Sequence, residues 1–173
     1  MKLGNVVEAG RAATIIRQYA IDDRFFKLNF KLDRLGRKLA EDMKSFDEAN
    51  KKLFDEFGED SVLFTSANEI ANIKPNAQGQ YIVTAATFDE KYKGTEGITE
   101  AQRGKLMIPA TRMPEYSKKL NATLDEEIEA PTSEKIPLEL FDGITIPRTD
   151  ANGQVNPTLS ELVIAMRDFI EDD

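Results

Sequence analysis

Carboxylates are the side chains of this sequence whose spacing could support chemistry. The densest run is DEEIE at 125–129, and a hard divalent cation binds where several oxygen ligands converge. On a helix only residues three or four apart share a face, so Glu126 and Glu129 could converge whereas their neighbours could not. We therefore expect this run to be a solvated acidic face, and we predict no metal site there.

The stretch DANGQ at 150–154 offers a second possible cation site. A calcium loop of the helix-loop-helix kind needs oxygen ligands at alternating positions and a glutamate at the twelfth. Asp150 and Asn152 begin such a pattern, but Gly153 follows and Pro157 stands where further ligands are needed. The composition is that of a turn before the last helix.

The absence of cysteine and histidine narrows the possible catalysis further. It excludes zinc sites built from Cys and His, and nucleophile systems of the Ser-His-Asp and Cys-His kinds. The glycine-rich patterns that bind phosphates and dinucleotides are also missing. Because 31 Asp and Glu residues are spread along the chain, no pair stands out as acid and base. We predict no catalytic residues, no cofactor and no small-molecule substrate, and a carboxylate-based enzyme is the least favoured alternative.

The strongest structural signal is a long amphipathic helix over residues 22–57. Apolar residues recur every seven positions, with a companion series beside them: Phe25, Leu28, Leu32, Leu35, Leu39, Phe46 and Leu53. The companion series then shifts by one position to Met43 and Phe57, as a straight helix drifts relative to a heptad repeat. This drift predicts packing within the chain rather than a free coiled coil. With a first helix over 5–20, the two would form an antiparallel hairpin that turns near 21–23.

The outer face of this long helix is predicted to be charged. It carries seven basic residues with acids between them: Lys27, Lys31, Arg34, Arg37, Lys38, Lys44 and Lys51. A solvated face with ion pairs four residues apart explains this pattern. Nucleic-acid binding is disfavoured because the chain has a formal net charge of −8. If the face binds a protein, we expect Lys31, Arg34 and Lys38 to take part.

The middle of the sequence is richer in β-forming and turn residues. We predict strands at Ile70–Lys74 and Tyr81–Phe88, joined through PNAQG at 75–79. Lys91–Gly104 reads as an exposed loop, and Lys105–Thr111 as an edge strand because it contains Pro109.

This middle segment, 59–112, is predicted to be a contact arm. Its apolar residues are too dispersed to form a core alone, and exposed strands need cover. A partner strand could add to the sheet by β-augmentation; the alternative is that the arm folds back onto the helical hairpin. The residues expected to make these contacts are Tyr81, Val83, Phe88, Leu106 and Ile108.

The last third is predicted to contain two helices and two short strands. A helix over 114–129 ends before Pro131, and strands follow at Ile136–Leu140 and Ile144–Ile146. Thr158 and Glu161 have the spacing of a capping box, which predicts the start of the final helix.

The predicted fold class is α+β, mainly α: a helical hairpin at 1–58, a β-hairpin or arm at 59–112, and a helix, short strands and a C-terminal helix at 113–173, together forming one compact domain. No apolar run approaches the roughly 18 residues typical of a membrane span. The N-terminus lacks the features of a signal peptide.

Three segments together resemble a family of tailed-bacteriophage proteins known as a domain of unknown function. They are KLAEDMKSFDEANKKLFDEFGE, PEYSKKLNATLDEEIEAPTSEKIPLELF and LSELVIAMRDFIEDD. The resemblance covers residues 23–60 and 114–171, with 80–112 as an insertion. It implies a non-enzymatic virion-associated or assembly protein, located in the virion or host cytoplasm, that binds other phage proteins or copies of itself. The alternative within the same setting is a small phage regulator that binds and inhibits a host protein.

Overall fold

The computed structural model describes residues 1–150 and 153–171. The fold is α+β and mainly α, as predicted. Its elements are α1 (Leu3–Tyr19), α2 (Phe26–Phe57), β1 (Glu59–Ser66), β2 (Tyr81–Thr84), α3 (Ala85–Lys91), β3 (Ile98–Met107), α4 (Met113–Leu124), β4 (Ile136–Pro137), α5 (Leu159–Ala165) and β5 (Ile170–Glu171). The chain divides into two compact units: unit 1 comprises Met1–Ala49 with Asn121–Asp173, and unit 2 comprises Asn50–Leu120.

In unit 1, α1 and the first part of α2 form the predicted antiparallel hairpin. The Asn29 side-chain amide donates to the carbonyl of Ala20 at 2.6 Å, which closes the turn. Further from the turn, Arg17 pairs with Asp33 at 3.4 Å. Gly10 lies against Met43 so closely that a Cβ at position 10 would be 2.1 Å from the sulfur. A larger residue at position 10 would therefore displace the end of the Met43 side chain from α1.

The predicted apolar series of α2 lines the core of unit 1 from Phe25 to Leu39. Phe46 is also buried, and Leu53, which belongs to unit 2, is half-buried. Small residues of α1 and residues of the C-terminal segment complete the core: Val6, Ala9, Ala12, Ala13, Ile16, Ile136, Phe141, Leu162, Met166, Phe169 and Ile170.

The end of the chain in unit 1 is less regular than predicted. The capping box is present, since Thr158 and Glu161 bond to each other's backbone at the start of α5. The predicted strand Ile136–Leu140 is wrong beyond Pro137, because a 3₁₀ turn over Leu138–Phe141 follows and buries Phe141. Ile144–Ile146 is not a strand; Ile144 is buried in irregular backbone.

Helix α4 ends at Leu124, so the predicted helix over 114–129 is too long. The reason is long-range backbone pairing: the Leu3 amide donates to the carbonyl of Glu126, and the Ile128 amide to that of Met1, both at 2.9 Å. Extended backbone at 126–128 satisfies these bonds and places Ile128 against the core of unit 1.

Unit 2 contains a three-stranded antiparallel sheet in the order β2-β1-β3. The central strand β1 was not predicted, whereas Ile70–Lys74, which was, lies in irregular backbone. The predicted loop Lys91–Gly104 is also wrong from Ile98 onward, because β3 pairs with β1 from Ser66 back to Glu59. These strands are stabilised by nonlocal partners, which their own residues do not specify.

The predicted strand Tyr81–Phe88 is confirmed for its first four residues and wrong for the rest. Strand β2 ends at Thr84, whose hydroxyl accepts a bond from the Thr87 amide and caps α3. Phe88 then lies on α3 and turns inward. The core of unit 2 consists of Val62, Phe64, Tyr81, Val83 and Phe88.

Candidate functional site

The apolar residues expected to form a contact arm are mostly inside unit 2. Tyr81, Val83 and Phe88 are buried, so their prediction as surface contacts is wrong. The rings of Tyr81 and Phe88 lie 5.6 and 5.2 Å from that of Phe64, centroid to centroid. Phe64 lies on strand β1, which was not predicted from the sequence. Leu106 and Ile108 remain half-exposed.

The exposed edge strand β3 is protected by charge. Arg103 lies over the ring of Phe88 and bonds Asp89 at 2.9 Å and Glu100 at 3.0 Å. The bonds from Arg103 lower the pKa of both carboxyls from their ordinary values of 3.8 and 4.5 and raise that of the guanidinium. The strand also has irregular register with β1. Charges and bulges on an edge oppose β-augmentation.

The three basic residues predicted to bind a partner do lie together, but they hold a segment of their own unit. Lys31 and Arg34 pair with Glu134 at 2.9 and 3.4 Å, and Lys38 donates to the carbonyl of Thr132. The bond from Lys31 lowers the pKa of the Glu134 carboxyl. This cluster therefore anchors residues 132–135 to α2.

The acidic run at 125–129 is not a helical face, because most of it lies beyond the end of α4. Its first carboxylate, Asp125, pairs with Lys2 at 2.7 Å. Within residues 1–150 and 153–171, no group of three or more Asp or Glu side chains is arranged to hold a metal ion.

In the stretch 150–154, the residues that the structure describes, 150 and 153–154, make the contacts of the predicted turn. The Gln154 amide donates to the carboxylate of Asp150 at 2.9 Å, and Gly153 has a φ of 78°. Asn152, considered above as a calcium ligand, lies outside the described residues.

A shallow cleft of about 250 Å³ lies between α1 and α5. Two of its three carboxylates already have partners: Asp168 accepts a bond from Asn5 at 3.0 Å, and Glu161 is held by its cap at Thr158. Glu8 and Arg167 also line the cleft. Because most of its carboxylates are already bonded within the chain, the cleft offers a poor site for acid-base chemistry.

The most unusual surface of unit 1 is an exposed apolar cluster at the start of α2. Phe26 and Phe30 are 73% and 56% exposed, and Ile21, in the turn before them, is 85% exposed. Residues four apart on a helix share a face, so Phe26 and Phe30 lie on the same face of α2. We call Ile21, Phe26 and Phe30 the aromatic face. Large aromatic side chains left in water on one face are typical of binding surfaces.

The backbone beneath the aromatic face is firmly anchored. Asp22 caps a 3₁₀ turn over Asp23–Phe25 by accepting a bond from the Arg24 amide. The Arg24 guanidinium lies 4.6 Å from the buried ring of Phe25 and donates to the carbonyl of Gly143 at 3.1 Å. The aromatic face is therefore displayed by ordered structure.

Charged residues lie on both sides of the two phenylalanines of the aromatic face. Asp22, Asp23 and Arg24 lie between Ile21 and Phe26, and Arg24 pairs with Asp22 at 3.8 Å. Arg34 and Arg37 follow Phe30 along α2; Arg34 lies 5.9 Å from the centre of the Phe30 ring, and Arg37 pairs with Asp33 at 2.6 Å. The segment before Phe26 thus has a weak net negative charge, and the segment after Phe30 is basic.

The aromatic face could have been found in the sequence. Phe26 and Phe30 lie about 160° away from Leu28 and Leu32 on a helix of 3.6 residues per turn. They therefore cannot join the core series, and two phenylalanines on the outer face of a charged helix need an explanation. From the sequence, the outer face of this helix was predicted only to be charged.

Comparison of this chain with family models, curated proteins and solved structures gives no match. In the part of the chain that the structure describes, no helix has both the length and the hydropathy needed to cross a membrane. Function must therefore be inferred from the surface of the chain.

Proposed function

We propose that this chain is a non-enzymatic bacteriophage protein of the virion or its assembly, and that it acts by binding protein through the aromatic face. The observation that carries the binding role is the exposure of Phe26 and Phe30 on one face of α2, with Ile21 exposed in the connection before it. The phage setting rests on the resemblance of residues 23–60 and 114–171.

The energetics of the surface favour a partner. Burying apolar surface contributes roughly 25 cal/mol per Å², so two phenylalanines covered at an interface could supply several kcal/mol before the costs of association. An aromatic pair with cationic side chains at its edge is also the composition of interface centres. Here Arg34 lies at the edge of Phe30 and provides such a side chain.

Quantitative mass spectrometry of purified particles and of infected cells tests the role. A particle protein is expected at many copies in particles. Presence in infected cells without incorporation would contradict the virion role, and persistence only in assembling intermediates would assign it to assembly. Capture by a host protein together with absence from every particle fraction would favour the regulator alternative.

A further inference from the structure

We infer that the aromatic face binds a second copy of this chain, with two α2 helices crossing antiparallel about a twofold axis at Phe30. This inference rests on the proposed function, because it names the partner of the same surface. Its basis is the order of charges along the exposed side of α2.

The exposed side of α2 is centred on Phe30. Opposite the buried series, the exposed residues of α2 are Phe26, Lys27, Phe30, Arg34 and Arg37, with the half-buried Asp33 among them. On a helix of 3.6 residues per turn these residues form one strip with Phe30 near its middle. Asp23 is exposed in the 3₁₀ turn that directly precedes α2, seven residues before Phe30.

A twofold axis at Phe30 brings unlike groups together. In an isologous antiparallel contact, a residue n positions before Phe30 meets the residue n positions after it on the other copy. Asp23 then meets Arg37, and Lys27 meets Asp33. Phe26 meets Arg34, a cation–π pair of the kind already formed between Arg34 and Phe30 within one copy.

The same order of charges disfavours a parallel contact. With parallel helices each residue would lie near its own copy, so Asp23 would approach Asp23 and Arg37 would approach Arg37. Like charges placed opposite each other are destabilising, and this selects against the arrangement. The antiparallel arrangement contains no such like-charged pair among these residues.

The net charge of the N-terminal part limits the strength of self-association through this face. The whole chain is at −8, but residues 1–52 carry 12 basic and 8 acidic residues, a net charge of +4. Two copies that meet through α2 bring together segments of like net charge, so the specific pairs across the axis must offset this repulsion. Because the patch is small, the dimer is expected to be weak and to depend on concentration.

Sedimentation equilibrium over about three decades of concentration tests the inference. The wild-type chain is expected to pass from monomer to dimer, and Phe30→Asp to remain monomeric throughout. Ile164→Asp is the matched control, because Ile164 is 64% exposed on α5 of the same unit; this variant should dimerise like the wild type. Circular dichroism should show equal helicity for all three, as expected for changes at exposed positions.

Charge reversal tests the antiparallel register. Asp23→Lys and Arg37→Glu should each weaken the dimer at least several-fold, because each places like charges across the axis. The double variant Asp23→Lys/Arg37→Glu restores opposite charges in both symmetric pairs and should recover most of the affinity. Recovery would not be expected if the two positions acted independently.

Three results would overturn the inference: a wild-type monomer at every concentration, a dimer unaffected by Phe30→Asp, or a double reversal no tighter than the single variants. A monomer whose incorporation into particles still requires Phe30 would reject self-association and leave the proposed function standing. A dimer that is absent both from particles and from assembly intermediates would reject the proposed function and leave the twofold contact standing.

Discussion

At the residue scale, Arg103 shows how one side chain serves several neighbours. It covers Phe88, which belongs to the core of unit 2, and it bonds the carboxylates of Asp89 and Glu100. Exposed ion pairs contribute little singly, but here a bidentate guanidinium joins α3 to β3. Because the two carboxylates can be protonated in acid, the stability that these ion pairs contribute depends on pH.

The pKa shifts predict that Arg103 contributes less to the free energy of unfolding in acid than at neutral pH. Asp89 and Glu100 have folded-state pKa values below their ordinary 3.8 and 4.5. Their contribution to stability is therefore present above those ordinary values and is lost as pH falls through the lower, folded-state values. We expect Arg103→Gln to be less stable than the wild type at neutral pH, with the difference shrinking below about pH 4. Denaturant unfolding of both proteins at a series of pH values measures this, and a difference that stayed constant into strong acid would refute it.

The capping box at α5 is a second test at this scale. Thr158 accepts the Glu161 amide while Glu161 accepts the Thr158 amide, the latter bond at 2.7 Å. Thr158→Ala is expected to lower the free energy of unfolding by about 0.5–2 kcal/mol. Ser160→Ala, two positions along the same exposed turn, should change it by less than about 0.5 kcal/mol. Equal effects of the two changes would show that the cap contributes nothing specific.

At the element scale, two glycines in or next to α2 have opposite surroundings. Gly58 directly follows the last residue of α2. A Cβ at Gly58 would lie 2.6 Å from the carbonyl oxygen of Phe54 and 3.2 Å from the Cβ of Lys105. Gly36, in the middle of α2, has no atom within 4 Å of such a Cβ.

The two glycines should therefore respond to alanine with opposite signs. Gly58→Ala is expected to destabilise unit 2 by about 1–3 kcal/mol, since backbone at Phe54 must shift. Gly36→Ala should stabilise by up to about 1 kcal/mol, because alanine is the better helix former. Thermal or denaturant unfolding of both variants and of the wild type measures these changes in stability. A loss of stability from Gly36→Ala, or none from Gly58→Ala, would contradict the packing described for these positions.

The elements that could be predicted are those that local periodicity specifies. The hairpin of α1 and α2, the buried series from Phe25 to Phe46 and the capping box all follow from spacing within a few turns. Strand β1 and the end of α4 could not be predicted because their hydrogen-bond partners lie far away in sequence. The burial of Tyr81 and Val83 was missed for the same reason, since Phe64 on β1 supplies their cover.

At the scale of the whole molecule, the two units differ in how far their aromatic residues are buried. Unit 2 uses its aromatic residues internally, around Phe64. Unit 1 buries its apolar series and still leaves Phe26 and Phe30 in water. Contacts with a partner were predicted for the middle segment and for the cluster of Lys31, Arg34 and Lys38. Most of those side chains are instead buried or paired within the chain. The aromatic face is therefore the strongest candidate for a surface that binds a partner.

The most direct test of this account is the number of copies of the chain in purified particles when the aromatic face is removed. Phe26→Ser/Phe30→Ser should fold with unchanged helicity, because both side chains are largely exposed, yet its incorporation should fall at least about tenfold through loss of buried apolar area. Ile164→Ser is the control and should be incorporated like the wild type. Incorporation of the double variant at the wild-type level would contradict the claim that this protein acts through the aromatic face.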